Sequence, residues 1–529
     1  MNQKIRYYFD KKNNIAEVLQ TLNEFEVISF DIFDTAIFRK IMDPLDIFEL
    51  LAIEMGFSDF KRIRKKAEME VREQKEFING SREVSLREIY NQLNVKYSID
   101  LSWMEKEIQW EYQISIPNLN VLCIYNKLIS AGKTIVFTSD MYLPIWAVEN
   151  ILKANGFDRY DRILLSNVEN ARKGEGSLQL RLKNLYEGKR IIHIGDNYDA
   201  DIKMSEQSGI SALYYPREVL NINTDSKSTL FGSFYHSLIR NSIYDEKWKH
   251  NLQYEHGFRV AGVLTAGYAK YIDKVVQSKK IEKILFCARD CDVLYKAFGE
   301  LFPQYETEYI EISRYSIMSI TEDRYFDDFI NRTVLKYATI HGKKKTIEEV
   351  LVESGFDYLV PYLEKSDIER FLFASIVGNK VIEKFLYEHI DIIKENFNED
   401  KHEAKKYFDN ILGEAKRVLI VDIGWSGTCI DALKFFLQSE FPQRELSVYG
   451  TLMCTSRGYS LKNSMENGTI TSYIFSPYHN YEYTQYMMPK QKSVRESDLR
   501  HMPLEYMFTS VKPSLVRYKK NELFKHTAC

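Results

Sequence analysis

Asp31 closes the apolar run "VISFD", Ser139 closes "TIVFTS", Lys173 stands in "NARKGEG", and Asp196 closes "RIIHIGD" with Asp201 following in "NYDAD". These residue types suit phosphoryl transfer through a covalent intermediate. Such a reaction needs a carboxylate nucleophile, a hydroxyl and an ammonium to bind phosphoryl oxygens, and further carboxylates to hold a magnesium ion that offsets the charge. Taken singly, each residue is an ordinary cap, turn or surface group. Taken in order along one chain, they form a set.

The elements that must position them are strands alternating with helices. Strand-like runs at 27–30, 134–140, 162–167 and 190–197 are each followed by a polar turn and a helical pattern. That alternation predicts an α/β fold with a doubly wound parallel sheet, whose ligands bind at the carboxyl ends of the strands, so the four strand ends should converge. Helical patterning dominates from 44 to 130. Pro44 suits a first turn, and Ser85 with Glu88 reads as a capping box. We expect a helical cap over about residues 40–130. The basic run Lys61, Arg62, Arg64, Lys65 and Lys66, balanced by Glu68, Glu70 and Glu73, reads as a solvated helix face.

These motifs resemble those of the haloacid dehalogenase superfamily over about residues 24–216. "VISFDIFDT" is similar to the first motif, "IVFTSD" to the second through Ser139 or Thr138, "NARKGEG" to the third and "IIHIGDNYDAD" to the fourth. The resemblance implies Asp31 as nucleophile, and Ser139 and Lys173 as phosphoryl-binding groups. It also implies Mg2+ held by Asp31, Asp196 and the Phe33 carbonyl, with Asp201 in support.

Phe33 departs from that pattern. Phosphatases of the superfamily commonly carry an aspartate there, which protonates the leaving oxygen and later activates water, a role worth roughly 10²–10⁴ in rate. Three readings stay open: the leaving group is already good; Asp34, the cap or the substrate supplies the proton; or turnover is slow or absent.

Residues 217–250 read as a linker, and 251–529 as a second α/β domain with its own helical insertion. "RVLIVDIGWSGT" places Asp422, Gly424, Ser426, Gly427 and Thr428 at a strand-to-helix turn suited to an anion. "CARDCD" adds Arg289 and Asp290 at another strand end, with Arg314 as a further candidate, so the two loops would share a second pocket. The whole chain loosely resembles two-domain bacterial proteins linked to surface-polysaccharide biosynthesis.

The remaining signals bound the function. With 529 residues the chain exceeds one ordinary core. A net charge of −3 gives no whole-protein attraction to nucleic acid. There is no signal-peptide core and no apolar run long enough to span a membrane, so a cytoplasmic location is expected. The six cysteines are scattered and read as reduced thiols. The expected function is a magnesium-dependent phosphohydrolase or phosphotransferase acting on a small phosphorylated metabolite. The alternatives are a non-catalytic phosphate- or nucleotide-sugar-binding protein, or a transferase whose main site lies in the second domain. Oligomeric state is left open.

Overall fold

The computed structural model describes residues 7–8, 15–216, 229–243, 252–330, 346–363, 376–455, 461–483, 507–519 and 522–525. The chain divides into two compact units, Met1–Asn251 and Leu252–Cys529.

In the first unit the strands are β1 (Tyr7–Tyr8), β2 (Val27–Phe30), β3 (Ile37–Arg39), β4 (Ser115–Pro117), β5 (Thr134–Ser139), β6 (Arg162–Leu165), β7 (Ile191–Gly195) and β8 (Ser211–Tyr214). Six of them form one parallel sheet in the order β1-β8-β7-β2-β5-β6. After β2 the chain winds outward through β5 and β6. It then returns to β7 on the other side, so the order reverses between β2 and β7. All four residues of β2 and all five of β7 are buried, as expected of parallel strands covered on both faces. Ile28, Phe30, Phe137 and Ile194 face one apolar layer, while Val27, Val136 and Ile191 meet Leu178 and Leu182 on the other.

The cap enters and leaves through the antiparallel ribbon β3–β4. It comprises the helices Ile47–Glu54, Phe60–Asn79, Leu86–Tyr97 and Ser102–Ile114. Ser85 and Glu88 make the expected capping box. The insertion is shorter than the expected 40–130. The helix Leu119–Ser130 belongs to the sheet layer, where Tyr125 packs against Phe137 and Phe157. Arg64 also corrects the solvated-face reading. It is fully buried, forks onto Glu107 at 2.8 and 2.9 Å, and reaches Glu68 at 2.9 Å. Lys61 and Arg62 pair with Asp46 and Asp59.

Within the expected linker, residues 230–243 form a helix, Leu230–Ile243, that packs on the ribbon. Ser237 Oγ and Asn241 Nδ2 both donate to the Arg39 carbonyl, at 2.5 and 2.9 Å, and Ser233 Oγ accepts from Met42 N. The rest of the 217–250 segment lies outside the described residues, except for residue 229.

The second unit is built on a parallel sheet of β9 (Lys283–Cys287), β10 (Thr307–Ile310), β11 (Arg417–Trp425), β12 (Ser447–Thr455) and β13 (Ile470–Phe475). Its order is β10-β9-β11-β12-β13. A helical insertion lies between β10 and β11, ending in the helix Ile390–Leu412. The strand β10 stops at Ile310, and Ser313 caps a helix starting at Arg314. Among the described residues, no helix is long and apolar enough to cross a membrane.

Candidate active site

The reversal between β2 and β7 opens a crevice at the carboxyl ends of those strands, the position at which doubly wound sheets bind ligands. Asp31 follows β2, and its backbone N–H donates to the Ile194 carbonyl of β7 at 2.8 Å. Asp196 and Asp201 follow β7. One carboxylate oxygen from each of Asp31, Asp196 and Asp201 lies within 4.8 Å of the others.

Lys173 Nζ bridges two of these groups, at 2.5 Å from Asp31 Oδ1 and 2.6 Å from Asp201 Oδ1. The Lys173 loop is tied down by its own backbone, since Lys173 N donates to Asp140 Oδ1 at 2.9 Å. Ser139, at the end of β5, lines the same cavity. Thr138, the alternative to Ser139, faces the other side of the sheet and bonds Ser29 Oγ at 2.9 Å.

Three carboxylates against one ammonium leave a negative excess in a buried place. Burial pushes the Asp31 carboxyl well above its ordinary value, helped by Asp201 and Asp196 and opposed by Lys173. For Asp201 burial also acts upward, but Lys173 and His193 outweigh it and hold the group below the usual carboxylate range. Burial would discharge Lys173, yet Asp201 and Asp31 raise it above its ordinary value and keep it an ammonium. A cluster of hard oxygen donors with this charge excess fits a divalent cation such as magnesium, which takes one or two carboxylates and keeps waters.

The cavity above the carboxylates has a volume of about 420 Å³ and is roofed by the cap residues Pro44, Leu45, Phe48, Glu68 and Arg72. Cap and core meet at a seam where Leu86 N donates to the Tyr142 carbonyl, Ser81 Oγ to Asn170 Oδ1, and Arg172 pairs with Glu83 at 3.1 Å. Phe33 lines the cavity, and the Arg39 guanidinium lies 4.0 Å from its ring centroid. Arg39 in turn forks onto Glu111 at 3.0 and 3.3 Å. Glu68, Glu83 and Glu111 are therefore all held by arginines. Asp34 adopts φ 64° and pairs with buried Arg240 at 3.4 Å.

Sequence reasoning passed over His193, Ser29, Arg39 and Arg240. His193 had a visible signal: an imidazole inside the otherwise apolar "RIIHIG" of a strand buried on both faces. Arg39 and Arg240 had none, since their partners are distant in sequence.

In the second unit β9 and β11 are adjacent and parallel, so the loops carrying Arg289, Asp290 and Ser426 to Thr428 emerge side by side. Asp422 lies near the end of β11, and the helix Thr428–Glu440 begins there. Gly424 and Gly427 serve the fold. A Cβ on Gly424 would lie 2.0 Å from the Cys454 carbonyl oxygen, and one on Gly427 would lie 2.2 Å from Leu461.

Fold and site together define a capped, doubly wound α/β unit with an acidic crevice. No protein-family model and no curated protein matches the chain. Solved structures similar to it are dehalogenases and phosphatases of the haloacid dehalogenase superfamily, over about two fifths of its length. An L-2-haloacid dehalogenase from Xanthobacter autotrophicus is 10% identical over 40% of this chain and 87% of its own, with a TM-score of 0.30. A 2-haloacid dehalogenase from Pseudomonas syringae pv. Tomato is 14% identical over 41% and 99%, with a TM-score of 0.28. A HAD phosphatase from Thermococcus onnurineus is 18% identical over 38% and 90%, with a TM-score of 0.27.

Proposed function

We propose that the first unit is a magnesium-dependent phosphohydrolase or phosphotransferase that works through an aspartyl-phosphate on Asp31. The observation that carries this reading is the Asp31–Lys173–Asp201 contact, with Asp196 beside it, beneath a capped cavity at the sheet's crevice. Asp31, Asp196 and the Phe33 carbonyl would hold the ion, with Asp201 supporting. A bound magnesium ion supplies charge neutralisation of the phosphoryl group.

Asp31 attacks phosphorus as the bond to the leaving oxygen breaks, and Lys173 and Ser139 bind the phosphoryl oxygens. The leaving group departs with the bonding electron pair. The roofing and lining glutamates are engaged by Arg39, Arg64, Arg72 and Arg172, and Asp34 is engaged by Arg240. This supports a substrate that leaves as a stable anion, such as an acyl phosphate, because a weakly basic oxygen needs no proton. The test is magnesium-dependent phosphorylation by radiolabelled acetyl phosphate, compared with Asp31→Asn and with an alkyl phosphate ester. No label in the wild type would refute the reading.

One observation favours a second site. The strand order of the second unit reverses between β9 and β11, the position where such sheets bind ligands. Arg289, Asp290 and the start of the helix at Thr428 flank that crevice, which suits a phosphate-bearing ligand. A shift in unfolding temperature with pyrophosphate, lost in Arg289→Ala, would support this site; no shift in the wild type would count against it.

A further inference from the structure

Beneath the site a chain of buried polar groups crosses three strands. Thr138 Oγ1 lies 2.9 Å from Ser29 Oγ, Ser29 Oγ lies 2.9 Å from His193 Nδ1, and His193 Nε2 lies 3.2 Å from Asp201 Oδ1. All four residues are buried. Ser29, Thr138 and His193 share the sheet face that is apolar two residues earlier at Val27, Val136 and Ile191. Packing alone would have continued that apolar face, since burying polar groups is unfavourable unless each finds a partner.

The chain has one direction. A carboxylate only accepts, so Nε2 carries the proton and donates to Asp201; Nδ1 then accepts from the Ser29 hydroxyl, and Ser29 Oγ accepts from Thr138. Asp201 is held from three sides: Oδ1 accepts from Lys173 and His193, and Oδ2 accepts from Asn197 N at 3.0 Å. Gly195 leaves the room, for a Cβ there would stand 2.3 Å from the Asp201 carboxylate carbon.

We propose that His193 is a positioning residue: its Nε2–H, oriented by Ser29 and Thr138, fixes the Asp201 carboxylate and through it the Lys173 ammonium and the cation-binding cluster. This rests on the aspartyl-phosphate reading above. His193 touches no reacting atom and acts through Asp201.

The test uses the full chain with magnesium and acetyl phosphate as probes. Groups that orient metal-ligating side chains typically change affinity or activity by about 10–100-fold when removed. His193→Leu should therefore slow phosphoenzyme formation and weaken magnesium binding, measured by calorimetry, by about that much. His193→Gln, whose amide N–H can reach Asp201, should recover most of the loss. In an Asp201→Asn background His193→Leu should add little, because coupled residues are non-additive. Equal losses in the Leu and Gln variants, or additive losses with Asp201→Asn, would overturn the proposal. A third readout needs no activity. Nitrogen-15 spectra of His193 should show protonation at Nε2, with a shift in Asp201→Asn, and protonation at Nδ1 would overturn the assignment. Absence of phosphoenzyme in the wild type, with the spectra as expected, would sink the function and leave the positioning role standing.

Discussion

The Lys173 ammonium lies 2.5 Å from the Asp31 carboxylate, so the group proposed to bind phosphoryl oxygens is, at rest, the counter-ion of the proposed nucleophile. In the proposed reaction an incoming phosphoryl group draws Lys173 partly away from Asp31. Asp201, at 2.6 Å, keeps the ammonium from leaving altogether.

The first prediction concerns pH and magnesium. The folded state raises the Asp31 pKa, chiefly by burial. A group raised on folding contributes stability that is fully present below its unfolded pKa and lost as pH rises through the folded one. Protein stripped of divalent ions should therefore lose stability between about pH 4 and the raised Asp31 value. Asp31→Asn should abolish that loss, and magnesium should stabilise the wild type more at pH 8 than at pH 5, as ligand deprotonation favours binding. Calorimetric scans with and without chelator check both. A magnesium effect independent of pH would contradict the cluster's assignment.

Phe33→Asp should shorten the lifetime of the phosphoenzyme. Arg39 lies over the Phe33 ring at 4.0 Å, so a new carboxylate there would be held ionised, which suits activation of water better than protonation of a leaving group. The gain should fall within the roughly 10²–10⁴ range of general acid–base catalysis. Chasing labelled protein with unlabelled acetyl phosphate measures the lifetime. An unchanged lifetime would mean that another group already activates water.

Gly195→Ala should damage the site more than the fold. Its Cβ would displace the Asp201 carboxylate, and overpacking of this kind costs about 1–3 kcal/mol. Magnesium binding should weaken while the circular dichroism spectrum stays native. Unaltered magnesium affinity would show that Asp201 does not support the ion.

Glu107→Leu should destabilise the unit by about 3–5 kcal/mol, because it leaves the fully buried Arg64 guanidinium with Glu68 as its one remaining ion-pair partner among the described residues. Adding Arg64→Met should restore much of the loss, since an apolar pair can replace a buried ion pair. Urea denaturation of the single and double variants decides it.

Much of the first unit was legible along the chain because its information is local. Apolar runs ending in Asp31, Ser139 and Asp196 announce buried parallel strands with polar ends, and the winding rule brings such ends together. The Ser85 to Glu88 box was readable for the same reason: both partners lie within one helical turn. The cap's far boundary was not readable, since the helix Leu119–Ser130 has the same periodicity as the cap helices and differs only in packing on β5. Arg64 lay in a run of charge that reads as surface. Only tertiary packing reveals that Glu107, 43 residues away, takes its charge inside.

Sequence by itself determined the residue types at the strand ends, their order and the presence of Phe33 two residues after Asp31, because those are properties of position along a chain. Tertiary structure alone decided that Lys173 bridges Asp31 and Asp201, that Asp34 turns to Arg240, and that His193 braces Asp201. Each of these depends on a side-chain direction and on a partner brought near by folding, and the strength of a hydrogen bond or ion pair falls away within a few ångströms.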